Sequence, residues 1–157
     1  MKILVLGVGN TLLSDEGIGI HTLNYLRRHY SQLIPESGVE YVDGGTLSFT
    51  LLPLLEDAEN LIIIDAAQLQ ATAGTVHCFL NEDMDIFLNS AKRNSVHEVN
   101  LIDLLAMLRL TERLPARRAL IAIQPSQLEW GDAPTPKVAL AIPSAAEMVV
   151  SLIQAWM

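Results

Sequence analysis

The alternation of short apolar runs with helical periodicities predicts an α/β fold, a three-layer domain on a mostly parallel sheet. Three observations carry that expectation. Residues Ile3 to Val8 are a short, continuous apolar run rich in branched residues, the pattern of a strand buried on both faces, and the segment NLIIIDA (60–66) repeats it with four aliphatics before an acid. Between them lie stretches with apolar residues at helical spacing, so strand and helix take turns along the chain. Half of the 157 residues are apolar, enough for one sizeable core and short of two. No repeat, linker or low-complexity tract divides the chain, so a single domain over 1–157 is expected.

Each element has its own signal. After the first strand, Ser14 offers an N-cap with Asp15 and Glu16 in the first turn, and Ile18, His21, Thr22, Leu23, Leu26 and Arg27 continue a helix to about His29. VEYVDGG (39–45) reads as a second strand ending at Asp43, and TLSFTLLPLLEDA (46–58) as a helix that Pro53 ends or bends. NLIIIDA is the third strand, closing on an acid where the chain leaves the sheet; GTVHCFLN (74–81) is the fourth. The polar stretch from Glu82 to Asn94 reads as a loop with room for a short helix around Ile86 and Leu88. Ser95 and Glu98 have capping-box spacing, and Leu101, Leu104, Leu105 and Leu108 follow at helical spacing, so a helix starts at Val96. RRALIAIQP is the fifth strand, and Gln127 to Thr135 an exposed turn region. Ser144 with Glu147 opens a last helix whose apolar side carries Met148, Val149, Leu152, Ile153 and Trp156.

The charge balance narrows the function classes. With 10 Lys and Arg against 18 Asp and Glu, the net charge of −8 repels a phosphate backbone, so no nucleic-acid partner is expected. Cys78 is the one cysteine and cannot form an internal disulfide, which fits a reducing, cytoplasmic home. The first ten residues lack a cleavage site and read as a strand rather than a secretory signal. Apolar runs such as LIII and LLAML fall well below the roughly 18 residues a span needs, so no membrane partner is expected.

The stretch GVGNTLLSDEGIG (7–19) poses the chemical question: does it cradle a phosphate or hold a cation? A dinucleotide fingerprint has glycine at its first, third and sixth positions; Gly7 and Gly9 fit, but the sixth residue is Leu12. A P-loop needs a lysine that is absent, and Asp15 and Glu16 would repel a phosphate at the helix N-terminus. Those two acids can simply complement the helix dipole. Asp65, however, also follows a buried strand, and open parallel sheets bind ligands outside the carboxyl ends of their strands; a plain turn-forming aspartate is the competing reading. His97, two residues past Ser95, sits where a helix N-terminus disfavours the charged imidazole and leaves a lone pair for a metal. Together Glu16, Asp65 and His97 would offer two oxygens and one nitrogen to a divalent ion, with positions left open.

Other chemistries find less support. HEVNL fails the zinc-protease H-E-x-x-H pattern at Leu101, and no G-x-S-x-G elbow exists. His77 and Cys78, neighbours on a strand, point to opposite faces and read as core residues. His21 and His29 read as surface or edge residues of the first helix.

In order and spacing, GVGNTLLSDEGIG, YVDGGT, LIIIDA, SVHEVNL and IQPSQLEWGDAPTPKV resemble the nickel-iron hydrogenase maturation endopeptidases over nearly the whole chain, the last segment looking most like the branch that serves uptake-type hydrogenases. The resemblance implies a twisted five-stranded sheet between helices. It implies a cytoplasmic protease that removes a short C-terminal peptide from the hydrogenase large-subunit precursor once nickel is inserted. It assigns metal-binding roles to Glu16, Asp65 and His97, and makes Asp43 a further acid suspected in cleavage or substrate recognition. The nickel would arrive with the precursor, bound by its cysteine thiolates, and act as a check on which precursor docks; that role ranks above catalysis by the metal, which would use the same ligands. Trp130 is expected either to contact the precursor or to clasp the domain's own edge. Glu98, Val99 and Asn100 stand where many relatives have glycine, a departure in local loop shape. Two rival readings stay open: a nickel-sensing or nickel-delivery chaperone that does not cut, and a nucleotide-binding domain.

Overall fold

The structure, a computed structural model, describes residues 2–31, 38–90 and 96–157, with backbone alone for 96–100. Five aliphatic segments form one sheet: β1 (Ile3–Gly7), β2 (Val39–Asp43), β3 (Asn60–Ala66), β4 (Val76–Leu80) and β5 (Arg117–Ile123). Their order is β2-β1-β3-β5-β4. The first four in that order run parallel, and β4 pairs antiparallel with β5 at one edge. The strands with continuous aliphatic runs are the central ones: every residue of β1 and β3 is buried. That is the expected consequence of helices covering both faces.

Alternate residues of each strand feed two separate cores. On one face Ile3, Val5, Ile62, Ile64, Ile121 and Ile123 pack with α1 (Ile18–His29), α5 (Pro136–Ala139) and α6 (Ile142–Trp156). On the other, Leu4, Leu6, Leu61, Ile63 and Leu120 pack with α2 (Leu52–Asp57), α3 (Glu82–Leu88) and α4 (Val96–Leu110). The expected three layers are therefore present. The stretch Pro136–Trp156 is long and apolar enough to cross a membrane by length and composition, which the short apolar runs do not suggest. Its residues Val138, Ala145, Ala146, Val149 and Ile153 are buried in the first core.

Several local expectations need correction. Ser14 makes no N-cap; it opens a 3-10 turn, Ser14–Gly17, at φ 51°, and α1 begins only after it. Pro53 neither ends nor bends its helix but lies in the first turn of α2, where its missing N–H costs nothing. The polar stretch after β4 does hold a short helix, α3, but it begins at once at Glu82; Asn89 and Ser90 follow it, and 91–94 of the expected loop lie outside the described residues. The capping box of Ser95 and the Glu98 side chain also lies outside them; α4 is described from Val96 onward. Ser144 and Glu147 do not open α6, which starts two residues earlier with Pro143 in its first turn.

His77 is exposed and Cys78 only half-buried, because β4 is an edge strand and not a core one. His77 stacks on Phe79, its neighbour two residues along the same face, with ring centroids 4.3 Å apart. Burial pushes the Cys78 thiol up, away from the thiolate a cysteine nucleophile requires. His29 is exposed and lies against Tyr25 at 4.2 Å. His21 is half-buried rather than on the surface, and its Nε2 meets no hydrogen-bond partner among the described residues. Burial accordingly holds its pKa below the ordinary histidine value.

Candidate functional site

The loops that leave β1, β2, β3 and β5 all emerge at one end of the sheet, outside the carboxyl ends of the parallel strands. They are stitched together through their backbones. The Gly44 amide donates to the Gly7 carbonyl at 2.8 Å, the Gly9 amide to Gly45 at 2.8 Å, and the Val8 amide to Ile64 at 3.0 Å. Two glycines of the opening motif make this closeness possible. A Cβ on Gly9, held at φ +144°, would stand 2.0 Å from the Glu16 carbonyl oxygen; one on Gly19 would stand 2.2 Å from that of Ile64. The glycines therefore let backbone lie on backbone instead of cradling a phosphate.

Glu16 sits in the 3-10 turn, half-buried, between the end of β1 and the start of α1. Asp65 is the penultimate residue of β3, the strand next to β1, and is 2 % exposed. Its neighbour Ile64 is the residue that receives the Val8 amide, so Asp65 belongs to the same rim as the Glu16 turn. Asp43 ends β2 on the other side of β1, opposite Gly7 in register, and is exposed. Its Oδ1 accepts the Gly45 amide at 2.8 Å, closing a turn. Two of the three proposed ligands thus share an end of adjoining strands. His97 is the second residue of α4, but its side chain lies outside the described residues. Among the described residues no three His, Cys, Asp or Glu side chains form a group able to hold a metal ion.

Asp15 departs furthest from expectation. Instead of complementing a helix dipole beside Glu16, it is wholly buried and faces the turn after β5. Its Oδ2 accepts the amides of Ser126 at 2.8 Å and Gln127 at 2.9 Å. Its Oδ1 accepts the Thr135 amide at 2.7 Å, and the Thr135 hydroxyl donates to both oxygens. Burial pushes this carboxyl up, but the amides of Gln127, Thr135 and Ser126 and the Thr135 hydroxyl outweigh it, leaving the group below the ordinary aspartate range. Consecutive residues of a turn project in different directions, so a side-by-side Asp-Glu pair was the available signal that one carboxylate would serve a different partner from the other.

The same two segments meet through the main chain as well. The Ser14 amide donates to Gly131 at 2.8 Å, the Asp15 amide to Gln127 at 3.0 Å and the Gly131 amide to Leu12 at 2.9 Å. The Ser14 hydroxyl donates to the Glu129 carbonyl at 2.8 Å. Held this way, the late turn presents Leu128 and Trp130 to solvent, Trp130 with 79 % exposure. The aromatic does not clasp the domain's own edge. Leu12, on the loop after β1, and Phe49, which opens a 3-10 turn between β2 and α2, are also exposed.

Comparison with known proteins gives a consistent result. The hydrogenase maturation protease family (HycI) matches residues 20–152. The hydrogenase expression/formation protein HupD of Rhodobacter capsulatus is 36 % identical over 156 residues, covering 99 % of this chain and 72 % of that protein. The hydrogenase 2 maturation protease of Escherichia coli (strain K12) is 36 % identical, covering 98 % and 92 %. Among solved structures, the hydrogenase maturating endopeptidase HybD from E. coli superposes with a TM-score of 0.90 at 34 % identity, covering 99 % of this chain and 93 % of that one.

Proposed function

The chain belongs to the hydrogenase maturation protease family, and from that premise we propose that it removes a C-terminal peptide from the nickel-loaded precursor of a nickel-iron hydrogenase large subunit, in the cytoplasm, using Glu16, Asp65 and His97 to recognise the nickel. The observation that carries this reading is the position of Glu16 and Asp65 on the carboxyl-end rim of adjoining strands, the usual place for a ligand in an open parallel sheet. Two carboxylate oxygens and an imidazole nitrogen suit a divalent transition ion. Three donors also leave positions for thiolates, so the ion can stay bound to the precursor while the protease grips its other side. The nickel is then part of the substrate. A precursor without it would face two carboxylates with no cation between them and dock poorly.

Peptide hydrolysis further requires a water oxygen to add to the scissile carbonyl, the C–N bond to break and a proton to reach the departing amine. Asp43 is the candidate base for the water: it is exposed at the same rim, and with Oδ1 engaged by Gly45 the proton would go to Oδ2. Leu12, Phe49, Leu128 and Trp130 would supply apolar contacts to the precursor around the metal. The test is intact-mass measurement of nickel-loaded and nickel-free precursor after incubation with the protein. Only the loaded precursor should shorten. Unchanged mass in both returns the chain to a nickel-binding role without cleavage, and shortening of both to the same extent removes the metal from recognition.

A further inference from the structure

The late turn from 126 to 135 carries two exposed apolar side chains, Leu128 and Trp130, yet four hydrogen-bond donors from it converge on one buried carboxylate. We infer that Asp15 is a positioning residue, which holds this turn in register with the adjacent Glu16 so that Trp130 and the metal ligand engage one precursor together. The inference rests on the reading that the precursor docks at this rim.

The geometry requires a group of this kind. Three of the donors, the amides of Ser126, Gln127 and Thr135, come from both ends of the turn, so a single carboxylate closes it like a ring. Each is a charge-assisted bond to an ionised acceptor, the stronger class. Asparagine has the same size but presents one acceptor oxygen and an NH2 group; the NH2 would face amide donors it cannot satisfy. The turn would then retain its main-chain links to Ser14 and Leu12 while losing its closure. A turn that wanders must be ordered when the precursor binds, and that entropy weakens docking without altering the chemistry at the scissile bond. The expected signature is therefore a raised KM with kcat retained.

The two tryptophans make the turn observable, since Trp130 is exposed on it and Trp156 lies in the core. The experiment uses the full chain labelled with 5-fluorotryptophan, nickel-loaded precursor as substrate, and the variants Asp15→Asn and Thr135→Val. For Asp15→Asn we expect KM to rise about tenfold, with kcat within about threefold, the scale of re-ordering one or two side chains of the turn on binding. Its Trp130 resonance should narrow and shift while that of Trp156 stays in place. Thr135→Val removes only the hydroxyl and should move the same two readouts in the same direction by about threefold or less. It carries the test if Asp15→Asn does not fold. An unchanged Trp130 resonance would overturn the inference, as would a changed resonance with unchanged KM, or a loss confined to kcat. Full processing by Glu16→Gln would instead sink the metal-recognition reading, and is read separately from the KM of the Asp15 variant.

Discussion

The turn after β1 and the β4 edge invert, in opposite directions, the burial that their sequences suggest. Around residues 9–17 the sequence is rich in glycine and polar side chains, yet Ser14 and Asp15 are buried. Around β4 the sequence reads as an aliphatic and aromatic strand, yet its residues are exposed or only half-buried. The difference follows from what each segment is covered by. The first lies under the turn after β5, whose amides satisfy the Asp15 carboxylate. The second is the last strand of the sheet, and one polar anchor near it, Arg118, serves the packing of α3 instead: Nε donates to Asp85 at 3.1 Å and Nη1 to the Pro115 carbonyl at 3.1 Å. Burial is thus decided by neighbours far along the chain, not by the composition of the segment itself.

Substitutions can break this contrast, the largest effects being expected in the covered turn. Asp15→Ala leaves three part-buried amides without their acceptor and should destabilise the fold by about 2–4 kcal/mol, measured by urea unfolding. Glu16→Gln, one residue on, should leave stability nearly unchanged and reduce processing of loaded precursor by about 100-fold or more, the usual scale for losing a group that engages substrate charge. A stability loss in Glu16→Gln as large as that of Asp15→Ala would erase the distinction between the two carboxylates. At the other region, Arg118→Ala removes the Asp85 pairing and should cost about 2 kcal/mol with processing retained.

Acid sharpens the contrast further. The Asp15 carboxyl is held below its ordinary value of 3.8, so its stabilisation is complete above that pH and is lost as pH falls through the lower folded value. Asp15→Asn should flatten that acid limb of the stability profile, whereas Arg118→Ala should leave it standing. The smallest effect is expected from His77→Ala on the exposed edge: less than about 0.5 kcal/mol and unaltered processing.

What was legible in the sequence follows the same division. β1 and β3 were readable because strands buried on both faces must be aliphatic throughout, and Asp65 was readable as an acid placed where such a strand ends, whereas Glu16, expected in the first turn of α1, sits in the 3-10 turn before it. The role of Asp15 was not, since its donors lie 111 to 120 residues away. Pro53 was ambiguous because proline is excluded from helix interiors yet suits a first turn, and only the position of the preceding turn decides between them. His77 and Cys78 were misread because an edge strand and a central one share β-favouring residues, and strand order is not written in either.

The central claim, that one ion is gripped by residues from three separate segments, is tested most directly by anomalous diffraction from crystals of the protein soaked in nickel. The account predicts a single strong peak at the carboxyl end of β1 and β3, within about 2.0–2.2 Å of a Glu16 oxygen, an Asp65 oxygen and a His97 nitrogen. A strong peak bound elsewhere, with none shared by these three side chains, would contradict it.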